Sequence, residues 1–311
     1  FVNQEKLEEL VIPDDQPCVG GFQTLAVDLE KLMIGEFKQM SESAVYPNAH
    51  LERAVKLFNV AKDVEKKNKD GIEPALRNLS ILDEIVDLKS FSKNFKELKL
   101  RGIPLPLAVM VNEDMKDARH HAVYVQGPSV LLPDASYYKE AMAQQKEMIM
   151  GVWTNVARMV MAKTPLSAEE QEQYIQDTIA FDALFANIVK TSEEWSEYVK
   201  MYNPRTTNGV ATKLKTIKFK NILKDLFNDV PSKVIVAEPR YINAFTSVFN
   251  EETLTLYKHW AYVTGLLDSC SLLSEELREL GSVFYRTLAG IPANTPVEKF
   301  AYQLASGMYS E

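Results

Sequence analysis

Apolar positions recur at helical spacing along most of the chain. Phe22, Leu25, Leu29, Leu32, Met33 and Phe37 fall on one stripe, which predicts a long first helix. Residues 50–69 repeat the pattern through Leu51, Val55, Leu57, Phe58 and Ala61. Two shorter helices are predicted at 72–88 and 91–98, and a long one at 140–163 with Ile149, Val152, Trp153, Val156 and Val160 in register. Ser167, with Glu170 three positions on, reads as a capping box. It opens a helix that runs to residue 190 through Ile175, Ile179, Phe185 and Ile188. Later helices fit 216–228, 240–249, 251–270, 274–289 and 296–308, the last entered through Asn294 or Thr295 and Pro296.

Period-two segments interrupt this series once. Residues 105–111 and 120–125 are short, apolar and partly β-branched, and 112–117 separates them, which predicts a β-hairpin between helices. Residues 232–237 suit another short strand ahead of Glu238 and Pro239. The expected fold is mainly α, a large lobe of about ten helices with one small β-hairpin.

Composition narrows the function. With 311 residues the chain can form one large or two ordinary domains. Its 46% apolar and 25% charged content is ordinary for a soluble globular protein. A net charge of −8, spread along the sequence, argues against a nucleic-acid partner, whose phosphates require a dominant basic surface. The densest basic run, Lys213, Lys215, Lys218, Lys220 and Lys224, alternates with apolar residues and reads as a solvated face. No window approaches the ~18 apolar residues of a membrane span. Residues 1–20 lack the basic start and apolar core of a signal peptide, although Phe1 is no natural initiator and the expected N-terminus lies upstream. Two cysteines, Cys18 and Cys270, make no disulfide framework, so a reducing, cytoplasmic compartment is expected.

Candidate chemistry within the chain is sparse. A zinc peptidase helix needs H-E-x-x-H, two ligands one turn apart with a glutamate as general base. The four histidines, His50, His120, His121 and His259, do not provide that spacing. His120 and His121 are adjacent on a predicted strand and point to opposite faces. Neither a G-x-S-x-G elbow nor a P-loop occurs. The acidic pairs Glu169-Glu170 and Glu193-Glu194 sit at predicted helix starts, where they complement the helix dipole. Trp153 and Trp260 lie in apolar stripes and are expected in the core.

Several blocks in order resemble the neprilysin and endothelin-converting-enzyme family of zinc endopeptidases, closest to its bacterial endopeptidase O type. Val2-Asn3 followed by V-I-P-D-D at 11–15 is similar to the family's opening, and Gly20-Gly21-Phe22 then leads into the first helix. G-P-S-V-L-L-P-D with Tyr137-Tyr138, at 127–138, resembles a G-L-x-L-P-x-x-x-Y-Y stretch. Tyr202-Asn203-Pro204, then V-A-E-P-R-Y at 236–241 and F-Y-R-T-L-A-G at 284–290, complete the series.

The resemblance implies a two-lobed enzyme in which a helical lobe covers a cleft and a second lobe carries zinc. By that reading residues 1–30 form a strap and the start of the first helix, contacting the catalytic lobe, and 31–311 form the cap. The chain itself would hold no cofactor. Zinc would belong to the catalytic lobe, expected beyond Glu311, and the partners would be that lobe and oligopeptide substrates. Cys18, Val19, Gly20, Gly21 and Phe22 are the implied substrate-facing residues. Three departures are visible. Gln4 and Lys6 stand where the family usually has glycine and tryptophan, and Cys18 where many members carry an arginine. A neutral thiol cannot make an arginine's charge-assisted bond to a carboxylate. A stand-alone or degenerate peptide-binding module without hydrolytic activity, and a self-contained helical enzyme, therefore stay open as alternatives.

Overall fold

The structure, a computed structural model, describes residues 11–309. Val2, Asn3, Gln4, Lys6 and Glu311 lie outside the described residues. The chain divides into two compact units, one formed by Phe1–Ile72 with Cys270–Glu311 and the other by Glu73–Ser269.

The first unit opens with α1 (Gly21–Ser43), α2 (Ala49–Lys62) and α3 (Val64–Asp70). The second contains α4 (Glu73–Leu79), α5 (Leu88–Leu100), β1 (Ala108–Asp114), β2 (Asp117–Gln126), α6 (Ala143–Met161), α7 (Ala168–Phe185) and α8 (Ser192–Ser196). It continues through β3 (Pro204–Thr206), α9 (Thr207–Lys213), α10 (Phe219–Phe227), β4 (Lys233–Val236), α11 (Pro239–Val248) and α12 (Leu254–Ser269). The chain then returns to the first unit with α13 (Glu275–Ala289) and α14 (Val297–Met308). The fold is mainly α, with fourteen helices and one small sheet among the described residues.

Extra helices arise where a polar side chain splits a predicted one. The helix expected over 50–69 breaks at Asp63, whose carboxylate caps α3 by accepting the Lys66 N–H at 3.0 Å. That expected over 72–88 ends at Leu79 and passes into a 3₁₀ turn, Ser80–Glu84. Asp87 and Ser90 then form a capping box that starts α5.

The sheet is larger than a hairpin. Its order is β1-β2-β4-β3, with β1 antiparallel to β2, β4 parallel to β2 and β3 antiparallel to β4. The Val125–Val236 register brings β4 to the C-terminal end of β2. This pairing places the loop after β2 beside the turn between β4 and α11, and the candidate site below is built there.

In the first unit, Phe37 of α1, Val55 and Phe58 of α2, and Ala301 and Ala305 of α14 form a buried cluster. Phe37 meets Phe58 edge-on at 5.6 Å and Tyr302 at 5.5 Å. Ala301 and Ala305, one turn apart, let α14 approach closely. The second unit is centred on rings: Phe91, Phe181, Phe185, Phe249, Tyr257 and Trp260 pack at 4.6–6.1 Å. Each buried ring contributes about 1.5–3 kcal/mol. Trp153 and Trp260 are buried, as their stripes predict.

Candidate functional site

The strap at 11–20 is tied to its own unit. Asp15 pairs with Lys299 of α14 at 2.7 Å, both side chains largely buried, and the Asp14 carbonyl accepts the Ala293 N–H at 3.0 Å. Beyond these ties the chain enters α1 at Gly21 with no side-chain cap. Cys18 is an exposed thiol, Val19 and Gly20 are half-buried, and Gly21 and Phe22 are exposed.

Two faces of α1 differ in a way that amphipathicity alone does not account for. Phe37 is turned into the core, yet Phe22, Leu25, Leu29 and Leu32 are 90%, 66%, 54% and 60% exposed. These four positions are spaced by three or four residues and form one apolar ridge about three turns long. Val11 and Ile12 of the strap are exposed as well. A monomer surface tolerates scattered apolar residues, whereas a contiguous ridge marks a contact site.

Two of the four histidines have local side-chain partners. His120 Nδ1 lies 2.9 Å from Asp117 on the exposed hairpin. His259 Nδ1 lies 2.6 Å from Asp177, with the Tyr174 ring stacked on it at 3.7 Å. Among the described residues no group of three or more His, Cys, Asp or Glu side chains is placed to hold a metal ion. The described residues therefore do not fit a zinc site. One member of each acidic pair is a capping group: Glu170 closes a box with Ser167, and Glu194 with Thr191.

A polar pocket of about 240 Å³ lies in the second unit, between the loop after β2, the segment after α7 and Glu238. Glu238 is buried and accepts the Gly127 N–H at 2.7 Å and the Lys190 N–H at 2.6 Å. Burial raises its pKa, and the two backbone donors oppose that rise. Gly127 is required there, because a Cβ would stand 2.9 Å from both Tyr241 and Val189. On the opposite wall Asp134 accepts the Ser136 N–H at 2.8 Å and both the N–H and Oγ–H of Ser192 at 2.6 Å. Burial pushes Asp134 up, but these donors outweigh it and hold it at about 2.

Lys190 supplies the remaining charge. Its side chain is half-buried, and Nζ sits 4.9 Å over the Trp195 ring. The ammonium is shut off from solvent and has no hydrogen-bond partner among the described residues. Desolvation lowers its pKa, while Glu238 and Glu194 act the other way. Sequence reading missed Lys190 and Glu238 because they are 48 positions apart and meet through backbone N–H groups. The available signal was the two proline-containing pairs, Gly127-Pro128 and Pro133-Asp134, that bracket the loop.

The whole chain, residues 1–311, matches the model for the N-terminal part of Peptidase family M13. A neutral endopeptidase of Lactococcus lactis subsp. cremoris is 31% identical over 311 residues, which is 100% of this chain and 49% of that protein. The crystal structure of PepO from Lactobacillus rhamnosis HN001 superposes with a TM-score of 0.90 at 24% identity, covering 99% of this chain and 48% of that one. The zinc metalloprotease Zmp1 of Mycobacterium tuberculosis, solved with an inhibitor, gives 0.87 at 21% identity, covering 98% and 47%. The chain thus spans about half the length of the curated relatives it matches, and it belongs to Peptidase family M13, forming the N-terminal part of that fold.

Proposed function

We propose that this chain is the helical cap of a zinc metalloendopeptidase that hydrolyses oligopeptides, and that the catalytic lobe of the same polypeptide docks on α1. The apolar ridge of Phe22, Leu25, Leu29 and Leu32 carries this reading. Four large exposed side chains in one line would cost solubility unless another surface covers them. The relatives' greater length supplies a second half that such a ridge would meet.

In this reading zinc and the hydrolytic groups belong to the catalytic lobe, and the cap acts by size selection. A lid over a cleft admits short flexible peptides and excludes folded proteins. It also limits bulk water, which strengthens electrostatic interactions inside. Cys18, Val19, Gly20, Gly21 and Phe22, where the strap enters α1, would face the substrate. A cytoplasmic location suits the exposed Cys18 thiol.

The test compares the intact protein with a Leu25→Asp/Leu29→Asp variant on peptides of increasing length and on a folded protein substrate. The expected result is a wild type confined to short peptides and a variant that loses this discrimination or its activity. An unchanged length profile would remove the docking role of α1. Peptide binding without cleavage by the intact wild type would instead favour a degenerate binding module, the reading that the neutral Cys18 supports.

A further inference from the structure

Acidic residues are spread along the chain, but basic ones gather in two places. Residues 88–101 and 213–227 hold ten of the 35 basic residues and two of the 43 acidic ones, a local charge of +8 in a chain of −8. The fold sets these segments side by side within the second unit. The helix α10 packs on α5, and the Lys218 N–H at its head donates to Ser92 Oγ of α5 at 3.0 Å. Phe91, Phe95 and Leu98 of α5 and Phe219, Ile222 and Leu223 of α10 turn into the core. The outer faces are left to Lys89, Lys93 and Lys96, in one row on α5, and to Lys220 and Lys224, one turn apart on α10. By itself the run from Lys213 to Lys224 is a solvated face; beside α5 it becomes half of a larger basic surface.

All nine lysines of the two segments are exposed, and none has an ion pair or hydrogen bond through its ammonium among the described residues. The tenth cation, Arg101, is held by Glu97 at 2.7 Å. Acidic groups border the surface at the start of α5, where Asp87 caps the helix and Glu251 accepts the Leu88 N–H at 3.4 Å. The summed field of unpaired lysines attracts an anionic partner over about 10 Å at 0.1 M salt.

The side chains select the kind of partner. Lysine is a compact point charge that suits a diffuse anionic field. A bidentate grip on one phosphate or carboxylate takes arginine, and the single arginine here is engaged by Glu97. Leu100 continues the row of Lys89, Lys93 and Lys96 by one turn and is 72% exposed. An apolar side chain gains nothing against a phosphodiester backbone, but it is buried when it enters the boundary between lipid headgroups and acyl chains. About four to eight lysines clustered on a helix surface are the footprint of contact with anionic lipid.

We propose that the face formed by α5 and α10 is a peripheral contact for an anionic bilayer surface, with the lysines against the headgroup phosphates and Leu100 entering the interface. The contact is independent of the docking role of α1.

The test is co-sedimentation of the intact protein with vesicles, using equimolar phosphatidylglycerol and phosphatidylcholine as the anionic probe and phosphatidylcholine alone as the neutral one. Binding to the anionic vesicles only is expected, lost as salt is raised to about 0.5 M. Lys93→Glu/Lys96→Glu and Lys220→Glu/Lys224→Glu should each weaken it about tenfold or more. Lys66→Glu/Lys69→Glu on α3 changes the net charge equally and should leave it within about twofold. Glutamine replaces glutamate at the same positions if a reversed variant folds poorly, and should still weaken binding. No binding to the anionic vesicles, equal binding to the neutral ones, an equal loss in the α3 variant, or tighter binding of a double-stranded DNA fragment would each overturn the proposal.

Discussion

Tyr138 donates its hydroxyl proton to the carboxylate of Asp182, joining the 3₁₀ turn at Ala135–Tyr138 to the last turn of α7 inside the second unit. The other Asp182 oxygen accepts the Leu131 N–H at 2.9 Å, so one buried carboxylate holds the middle of the loop that walls the pocket and the turn that follows it.

The burial of this carboxyl makes stability depend on pH. Burial pushes Asp182 from 3.8 up to about 6, although its hydrogen bonds and Lys146 pull downward. The folded value lies above the unfolded one, so between them the native state holds a proton the unfolded chain has released. Its contribution is complete below about 3.8 and is lost as pH rises through about 6. The loss by neutral pH should be on the order of 2–3 kcal/mol. Urea unfolding of wild type and Asp182→Asn between pH 4 and 7 should give a difference with this slope, and parallel profiles would contradict it.

Gly127 should tolerate no side chain. Alanine would place Cβ 2.9 Å from Tyr241 and Val189, and Tyr241 is fully enclosed with its hydroxyl bonded to the Pro106 carbonyl. Neither neighbour has room to retreat. Gly127→Ala should destabilise by about 1–3 kcal/mol through overpacking. A midpoint of unfolding equal to wild type would show that the loop after β2 is softer than its contacts imply.

The two faces of α1 should separate stability from function. Phe37→Ala removes a ring from the buried cluster of the first unit and should cost about 3–5 kcal/mol. Leu25→Asp alters an exposed position and should change the stability of the chain alone by no more than about 0.5 kcal/mol. If Leu25→Asp instead destabilised the chain strongly, α1 would be packed within this chain rather than reserved for another surface.

Sequence periodicity recovered the long helices because Phe22 to Phe37 and Ile149 to Val160 repeat without interruption, and Ser167 with Glu170 marks a helix start that the structure contains. It could not separate the α1 ridge from its core face, since Leu29 and Phe37 carry the same apolar signal and differ only in what lies beside them. It missed β3, whose three residues are too few for a period-two pattern and which depends on β4 for its existence. The pocket was illegible for a related reason: Glu238 beside Pro239 reads as an ordinary helix entry, and its real partners are main-chain N–H groups at 127 and 190.

Lys190 gives the last prediction, because a buried ammonium without an acceptor should cost stability. The ammonium lies buried over Trp195 and meets no acceptor among the described residues. An unsatisfied buried donor costs about 1–3 kcal/mol. Methionine has a similar length and can lie on the same ring without that cost. Lys190→Met should therefore raise the melting temperature in ligand-free buffer, by an amount equivalent to about 1 kcal/mol because the stem is only half-buried. A Lys190→Met protein less stable than wild type would mean that the ammonium already has a partner and that its charge contributes to the fold.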